Sequence, residues 1–528
     1  MPDSALLKRT ELPRPNVSVE QAALILREHF GLEGRLKELG SQQHRNFRIE
    51  TEDGVFVLKI CRAEYATIEL AAQNAAMRHL ATIEDMPRIP EPLLAGGGED
   101  IIFVTVDDED YQARVLTYLD GEPLTQRKYL APQVVAELGR LTARIAQGLK
   151  DFAHPGLDRE LQWDLRRAGP VALHLLKAVT DHERRDRIAK AMVTAVKRIQ
   201  PLAGQLRVQA IHHDITDDNV VARPDGQGRL MPDGVIDFGD VVTGWLVADL
   251  AVTCTALLHH ADGDPFFILP AVRAFQEQYP LNEAELRALW PLIVARAGVL
   301  VASTEQQLAI DPDNDYVKGN TAHEREIFEV ATAVPFALME STILDAVGHL
   351  PAPFDSAGLG RLLPDIQPEA IRLTDLSVTS DALVEDNWSD PQIDWKLLAR
   401  AAAETGVAST RYGEYRLSYT RTLSDRAPAT FALHVDVCLP ATTTAVAPMS
   451  ARIVKDGHHL ILSGEDIALH LDGIDCPLED GTEVQAGDPI GVIAGATGAV
   501  GGLRIQLCRD ADLVPPLFAR PAHAAIWG

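Results

Sequence analysis

Apolar residues at helical spacing come first: Val19, Ala22, Ala23, Leu24, Leu26 and Phe30 predict an amphipathic helix over 19–30. The period then changes. FRIET (47–51), a turn at Asp53-Gly54 and VFVLKI (55–60) alternate with period two, as a β-hairpin does. The Ala-rich run 66–80 is helical again, and Pro87, Pro90 and Pro92 stop it. Residues 100–106 and 111–119 are two more strands, followed by a turn or hinge at Leu119-Asp120-Gly121-Glu122-Pro123. The order is therefore helix, hairpin, helix, strand, strand.

Beyond this the pattern is helical over about 128–200 and again over 246–350. Between them, 207–239 holds short apolar runs separated by Gly, Pro and Asp. The polar stretch 376–395 marks a linker region, 356–410. From 411 to 528 short β-like runs with Gly-rich turns predict a small all-β domain. The expected fold class is α+β.

Composition narrows the classes. The chain of 528 residues is long enough for roughly three or four units. Its 49 Lys+Arg against 76 Asp+Glu give a net charge of −27, which disfavours nucleic acid as a partner. No apolar run of about 18 residues is present, and none opens the chain, so no membrane span or secretory signal is expected. Cys61, Cys254, Cys438, Cys476 and Cys508 are scattered without a CxxC, which suits free thiols in the cytoplasm.

The chemistry concentrates in HHDITDDN (212–219), followed by IDFGD at 236–240. Phosphoryl transfer needs a carboxylate beside the attacking hydroxyl and hard oxygen ligands for Mg²⁺. An Asp five residues before an Asn, then a distant Asp-Phe-Gly, supplies Asp214 as base and Asn219 and Asp237 as metal ligands. The Pro-Asp-Gly turn at 224–226 lets a second strand return Asp237 beside the loop. Asp249 either braces the loop from below or caps a helix start.

HHDITDDN, VIDFGD and the downstream ADLA resemble the aminoglycoside phosphotransferase / choline kinase-like family over roughly residues 15–350. QNAAMRHL (73–80) and DPDNDYVKGN (311–320) are similar to segments of its hydroxylysine kinase-like branch. The resemblance implies a two-lobed protein-kinase-like fold, with a nucleotide-binding lobe over 1–118 and a helical lobe over 119–355. It implies Mg²⁺ and ATP or GTP as co-substrate. Position within it assigns Lys59 to the nucleotide phosphates and Glu69 as its helix partner, with Glu64 second and Gln73 a rival for the same place. Gly40–Asn46, between the first two strands, becomes the phosphate-covering loop, with Ser41 in the cradle. The base of the nucleotide meets backbone near Leu116–Leu119, Leu116 and Tyr118 included. The acceptor is a hydroxyl on a small amine or amino acid, its ammonium met by Asp217 and Asp218. His213 stands where antibiotic kinases of the family usually carry Gly, which weakens an aminoglycoside-resistance reading. A non-catalytic pseudokinase scaffold is the other rival, opposed by intact Lys59, Asp214, Asn219 and Asp237.

Residues 428–510 resemble a lysostaphin-like (LytM-type) zinc endopeptidase through HVDVCLP, IALHL and EVQAGDPIGVIAGATG. Such enzymes bind zinc through His-x-Gly-x-Asp and a later His-x-His. Here those read Ala432-Leu433-His434-Val435-Asp436 and Leu503-Arg504-Ile505, leaving Asp436, with His470 as a former catalytic histidine. The domain is expected to be a degenerate, non-catalytic module, and no zinc is expected. Trp163, Trp290 and the His259-His260 pair read as structural, and His458-His459 as a solvated turn. In the hydroxylysine-kinase-like branch, this pairing resembles the front part of longer proteins. Those end in a class III aminotransferase-like domain with pyridoxal phosphate, so a lyase of that kind is an expected partner in cis or in trans. The run RPAHAAIWG after the β domain reads as the end of a fragment, or of a relative lacking that unit.

Overall fold

Period-two alternation builds the first lobe. Phe47 and Ile49 on one strand and Leu58 and Ile60 on the next are fully buried, and with Val104, Tyr111 and Val115 they form one face of a sheet. The computed structural model describes residues 14–41, 44–226, 228–310, 315–349, 358–420, 428–457, 459–465, 467–508 and 516–520. They fall into two units, Met1–Leu350 and Pro351–Gly528.

Helix α1 (Val19–Ile25) starts with a capping box between Ser18 and Gln21 and continues as a π turn, Leu26–Phe30, stopped by Gly31 at φ 66°. It covers the apolar face of an antiparallel sheet. The strands are β1 (Arg35–Leu39), β2 (Arg45–Glu50), β3 (Val55–Arg62), β4 (Ile102–Val106) and β5 (Glu109–Thr117), in the order β1-β2-β3-β5-β4. Strand β1 had no legible alternation because Arg35, Lys37 and Glu38 make it a charged edge. Since Leu58 and Ile60 point into the core, Lys59 points to the other face. There the register aligns Asn46, Lys59 and Arg114 in one row. Helix α2 (Thr67–Ala81) lies on that side: its Gln73 and Asn74 both accept from Arg114.

The second lobe begins with β6 (Glu122–Pro123), α3 (Pro132–Gly148), α4 (Ala168–Leu175) and α5 (His182–Ile199). Four strands follow: β7 (Val208–Ile211), β8 (Val220–Pro224), β9 (Leu230–Val235) and β10 (Val242–Trp245). The helices α6 (Leu246–Leu257), α7 (Leu269–Gln278), α8 (Glu283–Ile310), α9 (Asp315–Thr332) and α10 (Phe336–Ala346) complete it. Every residue of α6 is buried. Helices α3 and α7 touch backbone to backbone at Gly139, where a Cβ would lie 2.1 Å from the Ala271 carbonyl oxygen. Helix α8 is long and apolar enough to cross a membrane, yet 89% of its most apolar window is buried inside the unit. It is the central core helix here.

The second unit is not all β, and residues 356–410 are not a plain linker. The strands Ile371–Leu373 and Val407–Ser409 and the helix Ile393–Thr405 belong to it. The two strands edge an eight-stranded sheet that continues through Val435–Pro440, Val500–Cys508, Ala468–Asp472, His459–Ser463, Ala451–Asp456 and Glu483–Val484. The helix was missed because one short amphipathic run, Leu398 and Ala402 inward, lay inside a polar stretch. Of the runs singled out earlier, Gln42, Gln43, 311–314, His458 and 521–528 lie outside the described residues.

Candidate active site

The catalytic loop leaves the end of β7, and β7 pairs antiparallel with β10, which follows the Asp-Phe-Gly segment. Both segments are thereby anchored to one short ribbon. Between them the hairpin β8–β9 runs out and back, and the Ile236 N–H donates to the Asn219 carbonyl at 2.8 Å. Asn219 and Asp237 thus leave adjacent ends of the hairpin.

Asp249, in the first turn of α6, settles between its two readings. Its carboxylate accepts the backbone N–H of His213 at 2.6 Å and of His212 at 3.3 Å, so it braces the loop from within the core. Burial pushes this carboxyl up to about 7. His213 has φ 65°, the left-handed region, where a glycine would sit without strain. The His212 ring packs edge-on against Phe238 at 4.6 Å, and its Nδ1 accepts the Asp214 N–H at 3.3 Å. Burial holds that imidazole down at about 4, hence neutral.

Asp214 carries two partners. Asn219 Nδ2 donates to Oδ2 at 2.7 Å and also to the Asp214 carbonyl at 3.0 Å. Arg296 Nη2 donates to Oδ1 at 3.1 Å. Burial and the nearby Asp240 carboxylate push the Asp214 carboxyl upward, and Arg296 opposes them.

On the nucleotide side, Lys59 Nζ lies 2.9 Å from Asp237 Oδ1. Burial works to raise the Asp237 carboxyl, but the Lys59 ammonium outweighs it and holds the group well below the usual carboxylate range. Asp237 sits at φ 57° and accepts the Gly239 N–H at 3.0 Å. The assignment of Glu69 as partner of Lys59 is corrected: Glu69 pairs with Arg159 at 3.3 Å. Arg159 in turn donates to the Gly239 and Val241 carbonyls at 2.6 and 2.7 Å, so helix α2 is tied to the Asp-Phe-Gly segment through an arginine. Gln73, one turn on, donates to Gly239 O and accepts from Arg114. Ser41 Oγ accepts the His44 N–H at 3.2 Å, a bond inside its own loop. Leu116 and Tyr118 lie at the end of β5 and just beyond it, where the lobes join. Tyr118 has spent its N–H on Val55 O at 2.9 Å and its ring on Arg48, so that N–H does not face a nucleotide base.

On the acceptor side, Asp218 is exposed and accepts from Thr125 Oγ1 at 2.5 Å. Asp217 is corrected. It is buried, and one of its oxygens accepts from His259 at 2.7 Å and His260 at 3.0 Å, so it does not wait for an ammonium. Trp163 is not plain core either: the Arg296 guanidinium lies 4.4 Å over its ring.

Comparison with known proteins shows what this assembly is similar to. Residues 35–289 match the family model described as "Phosphotransferase enzyme family". Hydroxylysine kinase of Danio rerio is 26% identical over 320 residues, which cover 58% of this chain and 88% of that protein. Hydroxylysine kinase of Mus musculus is 23% identical over 347 residues, covering 60% and 91%. The protein is a small-molecule kinase. Among solved structures, a microcompartment-associated aminopropanol kinase is similar with TM-score 0.48 and 17% identity, covering 62% of this chain and 99% of that one. An amicoumacin kinase in complex with AMP-PNP and Ca²⁺ gives TM-score 0.44 and 16% identity, covering 57% and 89%.

The donor set of the kinase suits Mg²⁺. Asn219 spends its amide nitrogen on Asp214, which leaves the amide oxygen to face a cation, and the Asp237 carboxylate supplies the second hard donor. Among functional residues the sequence did not reveal, Arg296 had a signal: a lone cation in the apolar run PLIVARAGVLVA of α8. Arg159 had none, because its partners are 80–90 positions away.

In the second unit of the kinase, the surroundings of Asp436 do not suit zinc. The Asp436 carboxylate accepts from Arg504 at 2.8 Å, His434 at 3.1 Å and Arg416 at 3.3 Å, so two guanidiniums supply positive charge there. His459 is no solvated turn residue. It bridges Asp472 at 2.8 Å and His470 at 2.9 Å through its two ring nitrogens.

Proposed function

We propose that the kinase transfers the γ-phosphoryl group of ATP or GTP to a hydroxyl of a small hydroxylated amine or amino acid. Asp214 carries the reading. It is a carboxylate fixed on two sides by Asn219 and Arg296, while Lys59 pairs with Asp237 just past the end of the β8–β9 hairpin. The acceptor hydroxyl donates its proton to Asp214 as it attacks. Lys59 turns from Asp237 to the nucleotide phosphates when they arrive. Asn219 and Asp237 would hold the Mg²⁺ that neutralises charge between those phosphates. The hydroxylysine kinase relatives support an acceptor bearing both an amine and a hydroxyl. Asp218, exposed within the catalytic loop, would meet the ammonium.

Phosphorylation turns a poor leaving group into a good one. A pyridoxal-phosphate lyase, in cis or in trans, is the reaction class that would consume a phosphorylated amino-alcohol. The second unit, sheet-rich and with its Asp436 occupied by cations, serves on this reading as a non-catalytic module.

The test is a phosphate-transfer screen of hydroxylated amines, hydroxy-amino acids and aminoglycosides, with ATP and GTP in parallel, on wild type and Asp214→Asn. Turnover confined to the first two classes and lowered about 10²–10⁴-fold in the variant is expected. Turnover of aminoglycosides alone, or near-wild-type rates in Asp214→Asn, overturns the reading.

A further inference from the structure

We propose that Asp217, His259 and His260 form a binding site for a transition-metal dication of the zinc class, separate from the nucleotide's Mg²⁺. The two histidines are consecutive on the 3₁₀ turn Leu258–His260 that ends α6. Consecutive residues on such a turn ordinarily point about a third of a revolution apart. Here both rings turn to one spot. Their centroids are 3.8 Å apart and both Nε2 atoms approach the same oxygen of Asp217, at 2.7 and 3.0 Å. The three donor atoms lie within 4.8 Å of one another, and the side chains are 1–7% exposed.

The donor chemistry selects the ion. Two imidazole nitrogens and one carboxylate oxygen suit Zn²⁺, Co²⁺ or Ni²⁺, whereas Mg²⁺ prefers oxygen. Bonds of about 2.0–2.2 Å set tetrahedral donors roughly 3.3–3.6 Å apart, so each ring would retreat by less than about 1 Å from its hydrogen bond. The Nε2 protons that now bridge to Asp217 leave when the metal takes their place. Three protein donors leave a fourth position for water; the His323 ring stacks on that of His259 at 4.6 Å. Among the described residues, the second unit's histidines make no such cluster. His459 links His470 and Asp472 in a chain, and Asp436 is covered by arginines.

The metal's effect would be positional. Asp217 lies two residues before Asn219, and its carbonyl accepts the Leu124 N–H at 3.0 Å. A metal there pins the catalytic loop to the end of α6. The expectation of a chain without zinc is revised accordingly.

The test uses the full-length chain, stripped with a chelator and titrated with Co²⁺. Visible d–d absorption should saturate at about one equivalent, be displaced by Zn²⁺, and resist excess Mg²⁺. It should lack a thiolate charge-transfer band, which separates it from the five free cysteines. His260→Gln or Asp217→Asn, whichever folds by circular dichroism, should weaken Co²⁺ binding at least about tenfold, and His434→Ala and His459→Gln should leave it unchanged. X-ray absorption of the zinc-loaded wild type should show nitrogen and oxygen neighbours with imidazole scattering and needs no variant. No saturable absorption, a sulfur neighbour, or a signal lost with His434 or His459 overturns the proposal.

Discussion

Arg296 Nη2 stands 3.1 Å from Oδ1 of Asp214, so a cation from the central core helix reaches this carboxylate at the oxygen that Asn219 leaves free. The guanidinium is 4% exposed and stacks on Trp163, which fixes its plane. Arg296→Lys keeps the charge but cannot keep both contacts. The expected result is a 10–100-fold loss in kcat/KM for the acceptor, about 1.4–2.7 kcal/mol, with nucleotide KM changed less than about twofold. Steady-state kinetics in both substrates decide it. Equal losses for both substrates would make Arg296 a stability residue only.

Asp237→Ala removes a metal donor and the partner of Lys59 together. Mg²⁺-dependent nucleotide affinity should fall at least about tenfold, read by calorimetry with and without Mg²⁺. Unchanged Mg·nucleotide affinity would remove Asp237 from the metal site.

The Glu69–Arg159 pair is buried at 8% and 6% side-chain exposure. Arg159→Met strips a guanidinium from a buried carboxylate and two donors from the Gly239 and Val241 carbonyls, and should cost about 3–5 kcal/mol of stability. Glu69→Gln leaves Arg159 its carbonyls and should cost about 1–2 kcal/mol. If Glu69 were instead the partner of Lys59, Glu69→Gln would lower nucleotide affinity strongly. The geometry predicts a change within about twofold, measured by titration.

Asp249 sets a pH dependence. Its folded-state carboxyl is raised to about 7, above the ordinary value near 3.8. The protonated form is therefore favoured by folding. That contribution is present below about pH 4 and is lost as pH rises through 7. Asp249→Asn does not titrate, so the variant should gain on wild type by roughly 2–4 kcal/mol between pH 4 and 8, on top of a constant loss from the weakened brace. Thermal melts of both proteins across that range give the answer, and parallel curves would mean the carboxyl is not raised.

What the sequence made legible was local. Asp214, Asn219 and Asp237 belong to one loop and one hairpin, so spacing alone placed them together. The place of Lys59 on the second arm of the hairpin was legible too, from period-two alternation. What stayed hidden was pairing across long separations. Glu69 was given to Lys59 because both are short-range neighbours in the chain order of a kinase lobe, while Arg159 waits 90 residues downstream. Asp217 looked like a loop acid because its two histidines arrive from the end of a helix 42 and 43 residues away. Strand β1 and the helix Ile393–Thr405 were lost to charge and to polar surroundings, where periodicity is faint.

The asparagine at 219 has a consequence for what the site tolerates. Its amide is a dipole with a positive and a negative end, and the positive end is committed to Asp214. That fixes which end looks toward a metal without adding any net charge. An aspartate there would bring a second anion against Asp214 and lose the donor. A glutamine would carry the same dipole one methylene further out. Side-chain polarity at this position acts as a one-way connector between base and cation, and only an unsymmetrical, neutral group of this length can serve as one.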